Sequence, residues 1–214
     1  MTDLVLIPGA FRGAWSWDLV RRELVDVPSV AVDLPSGDVS MVDWIEVVAA
    51  VAGESSILVG HSMGGVVAQA AAASIGVRSI ALVDAPVLAS GQCALDASGP
   101  APPTLPDRAT QIPATPVGEH NGFSDPDLVA WVNSRLAPTP FGPTLDPIVV
   151  DPGVAVHAAF CSRTPDHFPA VATRRRFDAA GMRYSLIDCH HDAPLLAPRA
   201  VADFLRGVVA QSRI

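Results

Sequence analysis

The chain has 214 residues, with 22 acidic and 14 basic side chains, a formal charge of −8, and 50% hydrophobic against 17% charged residues. That length fits one domain of ordinary size, or one domain with a sizeable insertion, and the apolar share excludes global disorder. No basic stripe exists beyond Arg174–Arg176, which excludes nucleic acid as a partner, and the absence of lysine excludes Schiff-base or general-base lysine chemistry.

The most apolar stretches are interrupted by Asp43, Glu46 and Glu54, or by Arg78 and Asp84. They fall short of the roughly 20 residues that a membrane span requires. Asp3 stands where a signal peptide would carry basic residues. Three cysteines, Cys93, Cys161 and Cys189, are an odd number at unrelated spacings, which argues against a disulfide framework. A cytoplasmic protein acting on a small molecule, with neither membrane nor nucleic-acid partner, is the expectation.

Short apolar runs alternate with helical patterns, the signature of an α/β fold with a mainly parallel sheet. Residues 4–7 read as a buried strand ended by Pro8-Gly9. Residues 17–25 have helical spacing up to Pro28, and 29–34 form a second strand. Ser40 is placed to cap a helix that carries Ile45, Val48 and Val51 on one face. A strand over 57–60, a small-residue helix over 63–75 and a strand over 79–84 complete the first rhythm. Then 13 of the 20 prolines fall between Pro86 and Pro152. So long a structureless loop inside a compact domain is improbable unless it is a lid inserted over a site. Residues 127–136 supply a short helix within it. The rhythm resumes with strands over 154–161 and 182–188 and helices over 168–180 and 198–211. The reading is a core of 1–85 and 153–214 sharing one sheet of about six strands, with a Pro-rich lid over 86–152. No internal repeat is apparent.

The strongest local signal is Gly60-His61-Ser62-Met63-Gly64, a G-x-S-x-G string between a strand and a helix. The turn is too tight for side chains two residues either side of the serine, and it holds the hydroxyl clear of the sheet. The N–H of Met63, at the helix N-terminus, faces a developing oxyanion. A serine nucleophile needs a base, and the base needs an orienting carboxylate, in the chain order Ser, acid, His. Asp166, after the strand over 154–161, and His191, after the last strand, satisfy that order at the carboxyl edge of the sheet. Asp84, at the end of the strand over 79–84, is the alternative acid. Asp33 reads as structural.

With those residues in place, the chain resembles the α/β-hydrolase superfamily, and within it the plant-type methylesterase and hydroxynitrile-lyase group. The opening LVLIPGAFRGAWSWDLV looks like that group's strand, H-G-A turn and G-A-W-x-W helix start, and GHSMGG is the esterase form of its elbow. The tail HHDAPLLAP looks like its D-H-x-x-x-L-x-x-P ending, where counting back from Pro198 selects His191 over His190. The resemblance implies an α/β-hydrolase fold lacking the first hairpin of larger members. It implies Ser62 as nucleophile, His191 as base, Asp166 as acid, and the N–H groups of Ala10 and Met63 as the oxyanion hole. Pro8 stands where the family has histidine, removing a side-chain brace of the oxyanion turn. Lyase members carry lysine after the catalytic histidine and threonine in the oxyanion turn. Here Asp192 and Gly9 occupy those places, which favours ester hydrolysis.

Phe11, beside the oxyanion turn, and His61, beside the nucleophile, are the candidate substrate contacts. Trp15 and Trp17 are expected to pack the first helix on the sheet, and Trp131 and Phe141 to form a small core in the insertion. Cys189-His190-His191-Asp192 is not read as a metal site, because adjacent histidines do not readily point at one ion. The expected function is serine-dependent hydrolysis of a small or medium carboxylic ester, methyl esters and lactones included, with no cofactor and no metal. The alternatives are a biosynthetic tailoring enzyme (cyclase, lyase or epimerase) that uses the pocket for proton transfer, and a ligand-binding protein on the same scaffold.

Overall fold

The computed structural model describes residues 4–99 and 103–212. The signal-peptide argument at Asp3 and part of the Pro-rich run, 100–102, lie outside the described residues. In chain order the first unit consists of β1 (Leu4–Ile7), a 3-10 turn (Ala14–Trp17), α1 (Asp18–Glu23), β2 (Ser29–Ala31), α2 (Met41–Ala49), β3 (Ile57–His61), α3 (Met63–Ile75) and β4 (Ser79–Val83). The middle segment carries α4 (Ala94–Ala97), β5 (Gln111–Ile112), a 3-10 turn (Glu119–Asn121), α5 (Pro126–Asn133), β6 (Thr139–Pro140) and α6 (Gly142–Leu145). The last unit is β7 (Ala155–Cys161), α7 (Pro169–Ala180), β8 (Ser185–Ile187), α8 (Ala193–Leu196) and α9 (Pro198–Ser212).

Six strands form one parallel sheet in the order β2-β1-β3-β4-β7-β8. The central strands β1, β3 and β4 are continuous apolar runs buried throughout, as a sheet covered on both faces demands. One face is covered by α1 and α9, with Trp17, Val20, Leu205 and Val209 against Leu4, Leu6 and Val59. The other is covered by α2 and α3, with Trp44, Val67 and Ala71 against Val5, Leu58 and Leu82. Helix α3 is rich in alanine and glycine, so its axis lies close to the strands. Ser40 caps α2 as expected, in a capping box closed by Asp43.

The strand order reverses between β1 and β3, and the crevice of an open α/β sheet forms at such a switch point, outside the strand carboxyl ends. The Pro-rich segment roofs that crevice. It has its own two-stranded β5–β6 pairing and an apolar cluster of Val117, Phe123 and Val132 that is shared with Leu195 of α8. Trp131 joins the small core of the insertion as expected, whereas Trp15 departs from expectation. They meet edge to face with ring centroids 5.2 Å apart, so Trp15 seats the roof on the core rather than packing on the sheet. The second strand is shorter than its apolar run; beyond it Val32 still donates to the Leu6 carbonyl at 3.1 Å, and Val32 and Leu34 pack in the cluster with Met41 and Trp44 of α2. Among the described residues no helix is long and apolar enough to cross a membrane.

Candidate active site

The serine turn is built as its sequence requires. A Cβ on Gly60 would collide with the Gly64 carbonyl, and one on Gly64 with the Ile7 and Pro8 carbonyls, so the helix start is jammed against β1 and β3. Ser62 sits at φ 51° and ψ −121°, a strained conformation for a residue with a side chain, held by the sheet on one side and α3 on the other. Gly9 approaches from the end of β1, where a Cβ would lie 2.9 Å from His61 Nδ1 and 3.1 Å from Ser62 Cβ. Ala10 and Met63 thus flank the hydroxyl. Among the described residues neither of their N–H groups has a protein acceptor, as expected for the exposed first N–H groups of a helix and an open turn.

His191 completes a hydrogen-bonded line. Its Nε2 lies 2.9 Å from Ser62 Oγ and its Nδ1 lies 2.6 Å from Asp84 Oδ2. Asp84 is buried at the end of β4 with φ 45°, and it also accepts from the Cys161 N–H at 2.9 Å and the Thr164 hydroxyl at 2.5 Å. Burial pushes its pKa up, but the bonds from His191, Cys161 and Thr164 outweigh that and hold the carboxyl below the usual range. The Nδ1 proton therefore belongs on His191, which leaves the Nε2 lone pair facing the serine.

The expected acid, Asp166, is not in this line. It lies on the surface with 83% of its side chain exposed, paired with Arg175 at 2.8 Å. After β7 the chain turns outward, and it is Thr164 that points back to the site. The N-cap position of α7 is held by Phe168, two residues after Asp166. The alternative, Asp84, takes the place beside His191. Its position directly after a buried strand is the signal available in the sequence; the order Ser, acid, His is met by both aspartates, and it is the resemblance that implies Asp166.

His61 is among the residues lining the cavity, but its side chain is engaged by the protein. It is buried beneath the site, with Nε2 donating to the His191 carbonyl at 2.9 Å and its ring 4.9 Å from that of His191. Burial, reinforced by the neighbouring His191, pushes its pKa down to about 4, so it is neutral at physiological pH. Phe11 lines the cavity at φ 66°, its N–H donating to Thr139 Oγ1 at 2.5 Å and its carbonyl accepting from Ala137. The roof thus holds the turn that carries Ala10. Phe168, read from sequence only as a helix start, packs on the His191 ring at 4.2 Å between centroids.

The neighbours of His191 diverge. His190 packs under Gly122 of the roof, Asp192 faces Arg12, and Cys189 Sγ meets Cys161 Sγ at 3.5 Å. Both thiols are buried, and the Cys161 pKa is raised by the Cys189 hydrogen bond and by burial, which makes it inert as a nucleophile. Above Ser62 opens a cavity of about 450 Å³ lined by Phe11, Val66, Ala94, Val117, Phe168 and Asn121. It is mostly apolar, with Ser62 and His191 on its floor, a size suited to a small or medium ligand.

Solved structures resemble this one over nearly their whole length. A methylesterase from Arabidopsis is 19% identical with a TM-score of 0.78, covering 99% of this chain and 100% of its own. A pyrethroid hydrolase from Sphingobium faniae is 18% identical with a TM-score of 0.76, covering 100% of this chain and 99% of its own. An extracellular α/β-hydrolase from a Paenibacillus species, described as homologous in structure and function to tobacco salicylic acid binding protein 2, is 15% identical with a TM-score of 0.71, covering 97% and 99%. No curated protein sequence matches the chain. The model of the alpha/beta hydrolase family matches residues 4–204, and the chain belongs to that family.

Proposed function

We propose that the protein is a serine hydrolase of small or medium carboxylic esters, methyl esters and lactones included, with Ser62 as nucleophile, His191 as base and Asp84 as orienting acid. The observation that carries this reading is the unbroken line from Ser62 Oγ through His191 to Asp84, at 2.9 and 2.6 Å, on the floor of an open cavity. A serine hydroxyl acquires nucleophilic strength only when a base removes its proton as the new bond forms. The bond to Asp84 fixes the imidazole tautomer and stabilises the imidazolium that results.

In this reading Ser62 Oγ attacks the ester carbonyl and its proton passes to His191 Nε2. The N–H groups of Ala10 and Met63 hold the oxyanion, a group of interactions of the kind worth about 10²–10³ in rate per donor. The C–O bond then breaks, His191 returns its proton to the leaving alcohol, and the acyl group stays on Ser62. Water, deprotonated by His191, attacks the acyl-enzyme and releases the carboxylic acid. Phe11, Val66, Val117 and Phe168 give the acyl or alcohol portion an apolar bed.

The test uses a fluorophosphonate probe at neutral pH, with the adduct located by peptide mass spectrometry. A stoichiometric adduct on Ser62 that is lost in both Ser62→Ala and His191→Ala is the expected result, followed by turnover on a panel of esters and lactones. On a turned-over ester, Ser62→Ala costs about 10⁴–10⁶ in kcat. Absence of labelling in the folded protein, or a loss below tenfold, overturns the assignment.

A further inference from the structure

Arg12 and Asp192 lie 180 positions apart and form a two-pronged ion pair, Nε to Oδ1 at 3.1 Å and Nη2 to Oδ2 at 3.0 Å. Only 9% and 8% of the two side chains are exposed. The other arginine–carboxylate pairs among the described residues have far more exposed partners, such as Arg175–Asp166 at 63% and 83%.

Each partner belongs to a different half of the reacting centre. Arg12 closes the turn after β1, its N–H donating to the Gly9 carbonyl at 3.3 Å, and Ala10 lies inside that turn. Asp192 follows His191 directly, and its carbonyl accepts the Leu195 and Leu196 N–H groups of α8. Pro8, just before the turn, has no N–H and no side-chain donor with which to hold it. The strands themselves do not fix this distance, because β1 ends at Ile7 and β8 at Ile187, before either loop begins.

We propose that the Arg12–Asp192 pair is a positioning device that sets the oxyanion turn at a fixed distance from the His191 loop. This rests on the esterase reading of the same site. A buried ion pair is a poor source of stability, because desolvation of both charges consumes most of the attraction and well-packed apolar replacements are often neutral or stabilising. What a planar guanidinium fork adds is direction: two parallel bonds fix distance and orientation together. An oxyanion donor needs that accuracy, since a displacement of about 1 Å costs on the order of 10² in rate.

The double variant Arg12→Met/Asp192→Leu removes the fork without leaving a lone buried charge. Compared with the wild type per fluorophosphonate-titrated site, its kcat falls about 10- to 100-fold while KM stays within threefold. Affinity for a trifluoromethyl ketone, which forms a tetrahedral adduct on Ser62, falls in the same proportion, and the melting temperature holds or rises. Arg12→Lys, which keeps the charge but not the fork, falls between the two. Its loss exceeds threefold but is smaller than that of the double variant, and it also serves should the double variant not fold. Values of kcat and ketone affinity within threefold of the wild type in either variant overturn the proposal. Hydrogen exchange over residues 8–13 and 190–193 decides independently of the reaction. If the wild type neither labels nor turns over an ester, the esterase reading has failed. Exchange at least tenfold faster in the variant at both segments then still supports the positioning role, and unchanged exchange overturns it.

Discussion

Asp84 Oδ2 stands 2.6 Å from His191 Nδ1 across 107 positions of sequence, at the end of a buried strand. Two further donors, the Cys161 N–H and the Thr164 hydroxyl, keep it ionised in a place where burial alone would neutralise it. Asp84→Asn keeps the shape but forces the imidazole toward the wrong tautomer, and kcat on an ester falls by about 10⁴. Asp166→Ala, which removes only a surface partner of Arg175, leaves kcat within twofold. Steady-state kinetics on both variants checks the assignment, and the reverse ranking sinks it.

The roof is tied through Phe11 to the turn that carries Ala10, the turn proposed to bind the oxyanion. The positive φ of Phe11 is held by Thr139, whose hydroxyl accepts the Phe11 N–H, and by Ala137. Thr139→Val keeps the volume and leaves that N–H without an acceptor, at a cost of about 1–3 kcal/mol. We expect a lower melting temperature together with a fall in kcat of about tenfold, because Ala10 is the neighbour of Phe11. A loss of stability with unchanged kcat per titrated site would show that the roof does not hold the turn.

Two glycines of the same protein have opposite outcomes on replacement by alanine. At Gly64 the added methyl meets the Ile7 carbonyl of the central strand β1 and that of Pro8 directly after it, backbone that cannot move aside. Gly64→Ala costs about 3 kcal/mol or more, or prevents folding. At Gly207, inside α9, nothing lies within 4 Å of the added methyl. Gly207→Ala gains about 0.5–1 kcal/mol from helix propensity alone. Urea denaturation of the two variants measures both signs.

Much of the fold was legible because it is carried by local rules. The G-x-S-x-G string between strand and helix placed Ser62, and the 3.6-residue and continuous apolar patterns located α2, α3 and the buried strands β1, β3 and β4. The choice of His191 over His190 came instead from the resemblance to the D-H-x-x-x-L-x-x-P ending, and the structure gives the reason: the first faces Ser62, the second packs under Gly122. What escaped depends on where the chain goes between elements. Asp84 and Asp166 both follow strands, and only the outward turn after β7 decides that Thr164, not Asp166, reaches the site. His61 adjoins Ser62 in sequence, yet its imidazole is buried and bonded to the His191 carbonyl, because the turn at Ser62 (φ 51°) redirects the chain directly after β3. Arg12–Asp192 and Phe11–Thr139 join residues 180 and 128 positions apart, and no spacing rule covers such pairs.

His61 gives the protein a specific acid sensitivity. Its ring is buried, bonded through Nε2 to the His191 carbonyl, and its pKa is pushed from 6.5 down to about 4 by burial and by the nearby imidazole. The unfolded chain binds a proton there below pH 6.5 while the native chain does not until about pH 4. In that window the unfolded state therefore holds more protons, and stability falls as pH falls. The contribution is fully present above pH 6.5 and declines by on the order of 3 kcal/mol by the time the native ring protonates. Asp84, with a lowered carboxyl pKa, acts in the same direction at more acidic pH, so the two effects follow each other on the acid limb. His61→Gln retains an N–H for the His191 carbonyl but cannot take up the proton. Chemical denaturation at several pH values between 7 and 4 should show a shallower slope of unfolding free energy in this variant than in the wild type. Parallel slopes would mean that His61 takes up its proton in the native protein over the same pH range as in the unfolded chain, and that burial does not keep the ring neutral.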